Sequence, residues 1–251
     1  MNELKPPCSP KGIFITGTDT HVGKSVVTAA LGLAFQKQGY RLGVMKPVET
    51  GISQSGREQN TDGSRLRSML AADCPPDLAT PYRFPEPIAP LAASRRQQQS
   101  IDFERIKNRY QELSKNGDLL LVEGAGGVMV PLTEQQTVRD LLVYLHLPCV
   151  VVSRPTLGSV NHTLLTLEAL RNRAIPILGI VLNQATSPPT SEIGQLQIDS
   201  TRQLIREFSG VPIVGPIPFE PRLETDWEEG VRKMADCSSI ARLVAIIEET
   251  L

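Results

Sequence analysis

Residues 12–25 read GIFITGTDTHVGKS, a short apolar run that breaks into a glycine-bounded loop and closes on Gly-Lys-Ser. That order points to a phosphate cradle. The strand aims the loop, loop N–H groups turn onto an oxyanion, Lys24 reaches the β- and γ-phosphates, and the Ser25 hydroxyl meets a magnesium ion. The helix that follows, from about Lys24 to Gln38, points its positive end at the same phosphates. The strict pattern has a glycine five places before Gly23; here Thr18 holds that place and the glycine is Gly17, so the loop is one residue longer. A Gly-Lys-Ser can arise by chance in a surface loop, but an apolar strand before it and an Ala/Leu-rich helix after it favour nucleotide binding.

Composition narrows the remaining classes. The 251 residues suit one α/β domain over 1–251, with residues 1–11 expected as a flexible tail. With 26 basic against 27 acidic residues, the charge balance gives no footprint for nucleic acid or an anionic membrane. Cys8, Cys74, Cys149 and Cys237 share no metal-ligand spacing, and Cys149 reads as a core thiol in an apolar run. The first residues lack the apolar core of a signal peptide, and no stretch approaches the ~18 apolar residues of a membrane span, so a soluble, cytoplasmic setting is expected.

Apolar β-runs at 13–16, 42–48, 119–122, 150–152, 177–182 and 213–217 alternate with helical patterns at 26–38, 65–72, 103–114, 138–146, 162–172, 198–207 and 240–249. The β-runs are apolar on both faces, as in a mostly parallel sheet between two helix layers. The pattern predicts a doubly wound α/β fold of the phosphate-loop NTPase kind. Two stretches interrupt it: the polar segment 50–60 and the proline-rich segment 74–99, each read as a linker or a binding loop.

Several strand ends carry chemistry. Lys46, in Lys46-Pro47-Val48, is expected at the end of the second strand; it is either a solvated charge or a second cation for a transferring phosphate. Glu123 follows the run Asp118–Val122 and precedes Gly124, Ala125, Gly126 and Gly127. It is either incidental to a glycine turn or a carboxylate within reach of magnesium, with a backbone that lets a ligand approach. Asp62 reads from the residues alone as a helix N-cap. Asn183, after 177–182, is a turn former or an amide that pairs with both a donor and an acceptor on a nucleobase. Two lysines, a hydroxyl and one or two carboxylates suit phosphoryl transfer assisted by electrostatics.

Taken in order, GTDTHVGKS, KPVETG, NTDG, VEGAGG, GSVNHTLLT, VLN and GPIPF make nearly the whole chain after the first ten residues resemble dethiobiotin synthetases. The resemblance implies ATP-dependent carboxylation of 7,8-diaminopelargonate. Carbon dioxide forms a carbamate on one amine, the carbamate attacks the γ-phosphate of ATP, and the second amine closes the cyclic urea and expels phosphate. It implies that Lys24 and Lys46 serve catalysis and that Ser25, Asp62 and Glu123 hold Mg2+. Nucleotide contacts would come from His21, Val22, Gly23, Lys24, Ser25, Val26, Asp62, Glu123, Gly124, Ala125, Gly126, Asn183, Gln184 and Pro218. Substrate contacts would come from Thr20 and Thr50 and, across a homodimer, from the partner's counterparts of Gly158, Val160 and Asn161. Read locally, 158–161 is also a helix N-terminus capped by Ser159 or Asn161, itself an anion site. The chain departs from the family pattern at His21, where many members carry Glu, at Glu49, where a small residue is usual, and at Ser25, where Thr is common.

Two other functions share this kind of loop. A corrinoid amidating synthase needs a glutaminase domain with a nucleophilic cysteine and histidine, yet none of His21, His146 and His162 stands near a cysteine in a nucleophile-elbow context, and 251 residues leave too little length for a second domain. A partitioning ATPase carries an extra lysine early in the loop, and residues 18–22 hold none.

Overall fold

The computed structural model describes residues 11–52, 61–71, 73–115 and 117–250. In chain order, β1 (Lys11–Gly17) leads to α1 (Lys24–Lys37), β2 (Leu42–Met45) and β3 (Val48–Thr50). Next come α2 (Asp62–Leu70), α3 (Pro76–Ala79), β4 (Tyr82–Phe84), α4 (Pro90–Arg96) and α5 (Phe103–Ser114). The alternation continues through β5 (Leu119–Gly127), α6 (Val138–Leu145), β6 (Cys149–Ser153), α7 (Ser159–Arg171), β7 (Ile177–Asn183), α8 (Glu192–Ser209) and β8 (Ile213–Ile217). Three helices, α9 (Arg222–Thr225), α10 (Trp227–Ala235) and α11 (Ser238–Glu248), follow.

Six strands form one sheet in the order β2-β5-β1-β6-β7-β8, every pair parallel. Parallel pairing sends all six carboxyl ends to one edge. The order reverses around β1, and in open α/β sheets ligands bind at such a reversal. The expected doubly wound fold is therefore the observed one. Alternate residues of β1 serve opposite cores: Phe14 packs with Leu142, Leu167 and Ile106, while Ile13 and Ile15 pack with Val27, Leu31, Val231 and Leu243. A central strand buried on both faces must be apolar throughout, which explains why the β-runs do not alternate.

The run expected at 42–48 is interrupted. β2 stops at Met45, the Lys46 N–H donates to the Ala79 carbonyl at 2.8 Å, and Pro47 has no N–H to give. The chain then leaves the main sheet, and β3 pairs in parallel with β4 in a separate two-stranded sheet. The proline-rich segment is thus structured: it holds α3, β4 and α4, with prolines at the starts of both helices, where no amide hydrogen is needed. At the other extreme, β5 runs on to Gly127, so Glu123 lies within a strand and not after one. α8 begins at Glu192, earlier than its apolar pattern, because Ser191 caps it by accepting from the Gly194 N–H at 3.1 Å. Expectations for the tail 1–11, Cys8, Asn60 and most of the segment 50–60 lie outside the described residues, Lys11 opening β1 excepted.

The cap of α2 also differs from expectation. Thr61, not Asp62, is the N-cap: its hydroxyl accepts from the Ser64 N–H at 3.3 Å, and the Ser64 hydroxyl accepts from the Thr61 N–H at 3.1 Å. This reciprocal pair frees the Asp62 carboxylate to face the sheet edge. Thr61→Ala is expected to cost about 1 kcal/mol, lowering the melting temperature by about 2–4 °C. An unchanged melting curve would show that the cap does not hold α2.

Candidate active site

Glycine is required where the phosphate loop meets α1. Gly23 has φ 91°, and a Cβ there would meet the Asn183 Nδ2 at 2.1 Å. His21 also lies in the left-handed region, at φ 54°, so the longer loop turns twice before the helix begins. No side chain caps α1, leaving its first N–H groups and positive end for an anion. The Lys24 ammonium, 7% exposed as a residue, donates to the Asp19 carbonyl at 2.8 Å. Burial, and then the nearby Lys46 charge, bring its pKa down to about 8.

Beneath the loop, charged groups from four elements meet. The Ser25 hydroxyl donates to Glu123 Oε1 at 2.8 Å, and Glu123 is fully buried. The Lys46 ammonium is ion-paired to the same Glu123 oxygen and lies 3.0 Å from Asp62 Oδ2. Burial works against the Lys46 charge, but Glu123, Asp62 and Glu49 outweigh it and hold its pKa above the ordinary lysine value. Burial likewise works against the Asp62 carboxylate, but Lys46 and hydrogen bonds from Lys46 and Ser25 hold its pKa low. Glu49 behaves the other way: its burial outweighs the help of Lys46 and of the Gly63 N–H, and its pKa is raised.

Ser25, Asp62 and Glu123 are oxygen donors converging on one point, and the buried Glu123 Oε2 has no hydrogen-bond partner among the described residues. The set fits magnesium, which takes few protein ligands and completes its shell with water and phosphate. No group of three or more His, Cys, Asp or Glu side chains suited to a metal is found among the described residues. A metal at this point would draw on the Ser25 hydroxyl beside the two carboxylates. The lysine ammonium already bridges the two carboxylates, so a single cation satisfies both.

A cavity of ≈ 280 Å³ opens beside this cluster. Its lining includes His21, Gly23, Lys24, Ser25, Val26 and Asp62 from the loop and the starts of α1 and α2, and Asn183, Gln184 and Pro218 from the ends of β7 and β8. Asn183 Nδ2 donates to the Val22 carbonyl at 3.0 Å, while Asn183 Oδ1 and Gln184 Oε1 are buried without partners among the described residues. Two unpaired amide oxygens are acceptors for an amine such as that of a base. The cavity thus brings together most of the anticipated nucleotide residues. Lys46 and Glu123 lie behind it, reached through Asp62 and Ser25.

The other anticipated positions sit apart. Thr20 is exposed, and a Cβ at Gly126 would stand 3.7 Å from its methyl group. Thr50 ends β3 half-buried. Gly158 is the left-handed N-cap of α7 with no side-chain cap, so Ser159 and Asn161 do not cap it; the Ser159 hydroxyl lies 3.2 Å from that of Thr156. Val160 is half-buried and Asn161 exposed on the first turn. Glu220, Leu223, Trp227 and Met234 line the cavity, while α11 packs on β8.

The AAA domain family matches residues 11–226. ATP-dependent dethiobiotin synthetase BioD of Thermodesulfovibrio yellowstonii is 42% identical over 223 residues, 86% of this chain and 91% of the relative. The protein of the same name from Methanocaldococcus jannaschii is 40% identical over 88% of this chain and 100% of its own length. The chain belongs to the ATP-dependent dethiobiotin synthetase family. Its sheet also resembles that of MinD in the MinC:MinD complex of Aquifex aeolicus (TM-score 0.56, 15% identity, 96% and 95% of the two chains). Apo McdA of Cyanthece is similar at TM-score 0.54 and 13% identity, covering 95% and 98%. At such identities the likeness shows the fold alone.

Within this family member, Glu49 has a structural task that its sequence neighbours do not reveal. Its Oε1 accepts from the Gly63 N–H at 3.0 Å, docking the first turn of α2. A Cβ at Gly63 would meet Glu49 Oε2 at 2.8 Å and Thr80 Oγ1 at 2.5 Å, so a larger residue there would push these side chains aside. Glu49→Ala leaves a buried donor unpaired and is expected to cost roughly 1–3 kcal/mol in denaturant unfolding, with Glu49→Gln recovering most of it. Equal losses in both variants would mean that the charge, not the acceptor, matters.

Proposed function

We propose that the chain converts 7,8-diaminopelargonate, carbon dioxide and ATP to dethiobiotin, ADP and phosphate in biotin biosynthesis, through a carbamate and a carbamic–phosphoric anhydride. The observation that carries this reading is the pair of buried ammoniums, Lys24 and Lys46, at one sheet edge beside the Ser25–Asp62–Glu123 oxygens. An anionic carbamate must approach an anionic phosphate, so positive charge is needed where they meet. In this reading Lys24 leaves the Asp19 carbonyl for the transferring phosphate, and Lys46 stabilises the carbamate and the charge developing on phosphorus. Asn183 and Gln184 receive the base with their unpaired oxygens, and the backbone around Pro218 borders it. Mg2+, held by Ser25, Asp62 and Glu123, would supply further neutralisation of phosphate charge. Thr20 and Thr50 contact the diamine.

The same reading makes the enzyme a cytoplasmic homodimer acting on small molecules, with no nucleic acid or membrane partner. No helix among the described residues is long and apolar enough to cross a membrane. The N-terminus of α7 at Gly158, Val160 and Asn161 receives the substrate carboxylate of the partner's site. Exposed Leu157, Leu165, Ile193 and Leu196, on and beside the mutually packed α7 and α8, supply apolar surface for the contact. The partitioning-ATPase and corrinoid-synthase alternatives are not favoured, because the relatives at 38–42% identity are named dethiobiotin synthetases.

The deciding experiment incubates the protein with ATP, magnesium, bicarbonate and the diamine and looks for dethiobiotin by mass; ATP hydrolysis without that product would sink the proposal. Lys24→Ala should lose about 3 kcal/mol of transition-state stabilisation, at least a hundredfold in rate. Near-normal turnover of that variant would remove Lys24 from catalysis. Glu123→Gln should shift the magnesium titration more than the diamine titration. Leu165→Asp combined with Leu196→Asp should give a folded monomer that binds ADP but has a raised KM for the diamine; an unchanged KM would assign Gly158–Asn161 to the helix alone.

A further inference from the structure

Trp227 is the only tryptophan of the chain. It opens α10 behind Asp226, whose carboxylate accepts from the Glu229 N–H at 3.1 Å. The indole is half-buried, and the Arg65 guanidinium lies over its face with Cζ 5.4 Å from the ring centroid. Arg65 sits on α2 three residues after Asp62, on the same face of the helix. Both residues line the cavity that runs from Lys24 and Ser25 to Asn183. Among the described residues, Arg65 makes no ion pair.

An indole under a guanidinium holds the planar fork in place without neutralising it, so its N–H donors stay available for an incoming anion. The two buried lysines are engaged with backbone and carboxylates, whereas the Arg65 charge faces the cavity. It stands one turn beyond Asp62 on α2 and lines the same cavity as Asn183 and Trp227.

We propose that Arg65 and Trp227 form a clamp for the nucleoside polyphosphate: the indole walls the sugar side of the cavity, and the guanidinium grips the phosphate next to the sugar. The clamp rests on the nucleotide reading of this cavity and adds two binding residues to it. Because α2 carries both Asp62 and Arg65, and α10 carries Trp227, the clamp ties the C-terminal helices to the metal end of the site. It grips sugar and phosphate, so it contributes affinity with little discrimination between bases.

Trp227 is its own reporter. Titrating the wild-type protein with ADP, binding being followed in parallel by calorimetry, should produce a saturable change in indole emission. Arg65→Ala, folded by circular dichroism, should raise the Kd for ADP about tenfold and that for adenosine less than about twofold, with Arg65→Lys recovering part of the loss. In turnover the loss should appear in KM for ATP, with kcat at saturation unchanged. If ADP binds by calorimetry while the indole is silent and Arg65→Ala leaves Kd unaltered, the clamp is overturned and the synthetase reading stands. If ADP does not bind at all, both fail.

Discussion

The site depends on one constraint: the Lys46 ammonium must be held where water cannot solvate it, and only the carboxylates around it make that possible. Glu123 from β5, Asp62 from α2 and Glu49 from β3 all act on it, and the Ser25 hydroxyl joins Glu123 from α1. A buried charge without such partners would lose its proton or force the fold apart. As a means of stabilising the fold, a buried ion cluster is inferior to apolar packing of the same volume. As a source of positive charge for phosphate chemistry it is well suited, because the ammonium is already held in its charged form beside the phosphate loop.

The topology follows from assembling that cluster. β1 delivers the phosphate loop, β5 beside it delivers Glu123, and β2 on the far side of β5 delivers Lys46 just after its last paired residue. The departure of the chain at Lys46-Pro47 creates the small sheet of β3 and β4, and that sheet brings Glu49 under α2. The hydrogen bond from Gly63 to Glu49 and the Thr61–Ser64 cap then fix Asp62 against Lys46. Local backbone chemistry, a proline without an N–H and a capped helix start, thus sets the distances on which the electrostatics rest.

Much of this was legible in the sequence. The phosphate loop, the doubly apolar strands and the strand-end positions of Lys46 and Asn183 follow from local pattern, and those patterns gave the sheet and its functional edge. The proline-rich segment hid α3, β4 and α4, because prolines mark breaks and helix starts alike. Asp62 was ambiguous because an aspartate at a helix start serves equally as cap or ligand, and the Thr61–Ser64 pair is visible only as geometry. Arg65 and Trp227 carried no signal, since an arginine on a polar helix and a lone tryptophan far along the chain meet only through the tertiary fold.

A crystal structure of the protein with ADP and magnesium tests the central claim most directly. The metal should bind among Ser25, Asp62 and Glu123, and the Lys46 ammonium should release its bond to Glu123 and turn toward the phosphates. A bound nucleotide with Lys46 still bridging Asp62 and Glu123, and with the metal held elsewhere, would contradict it.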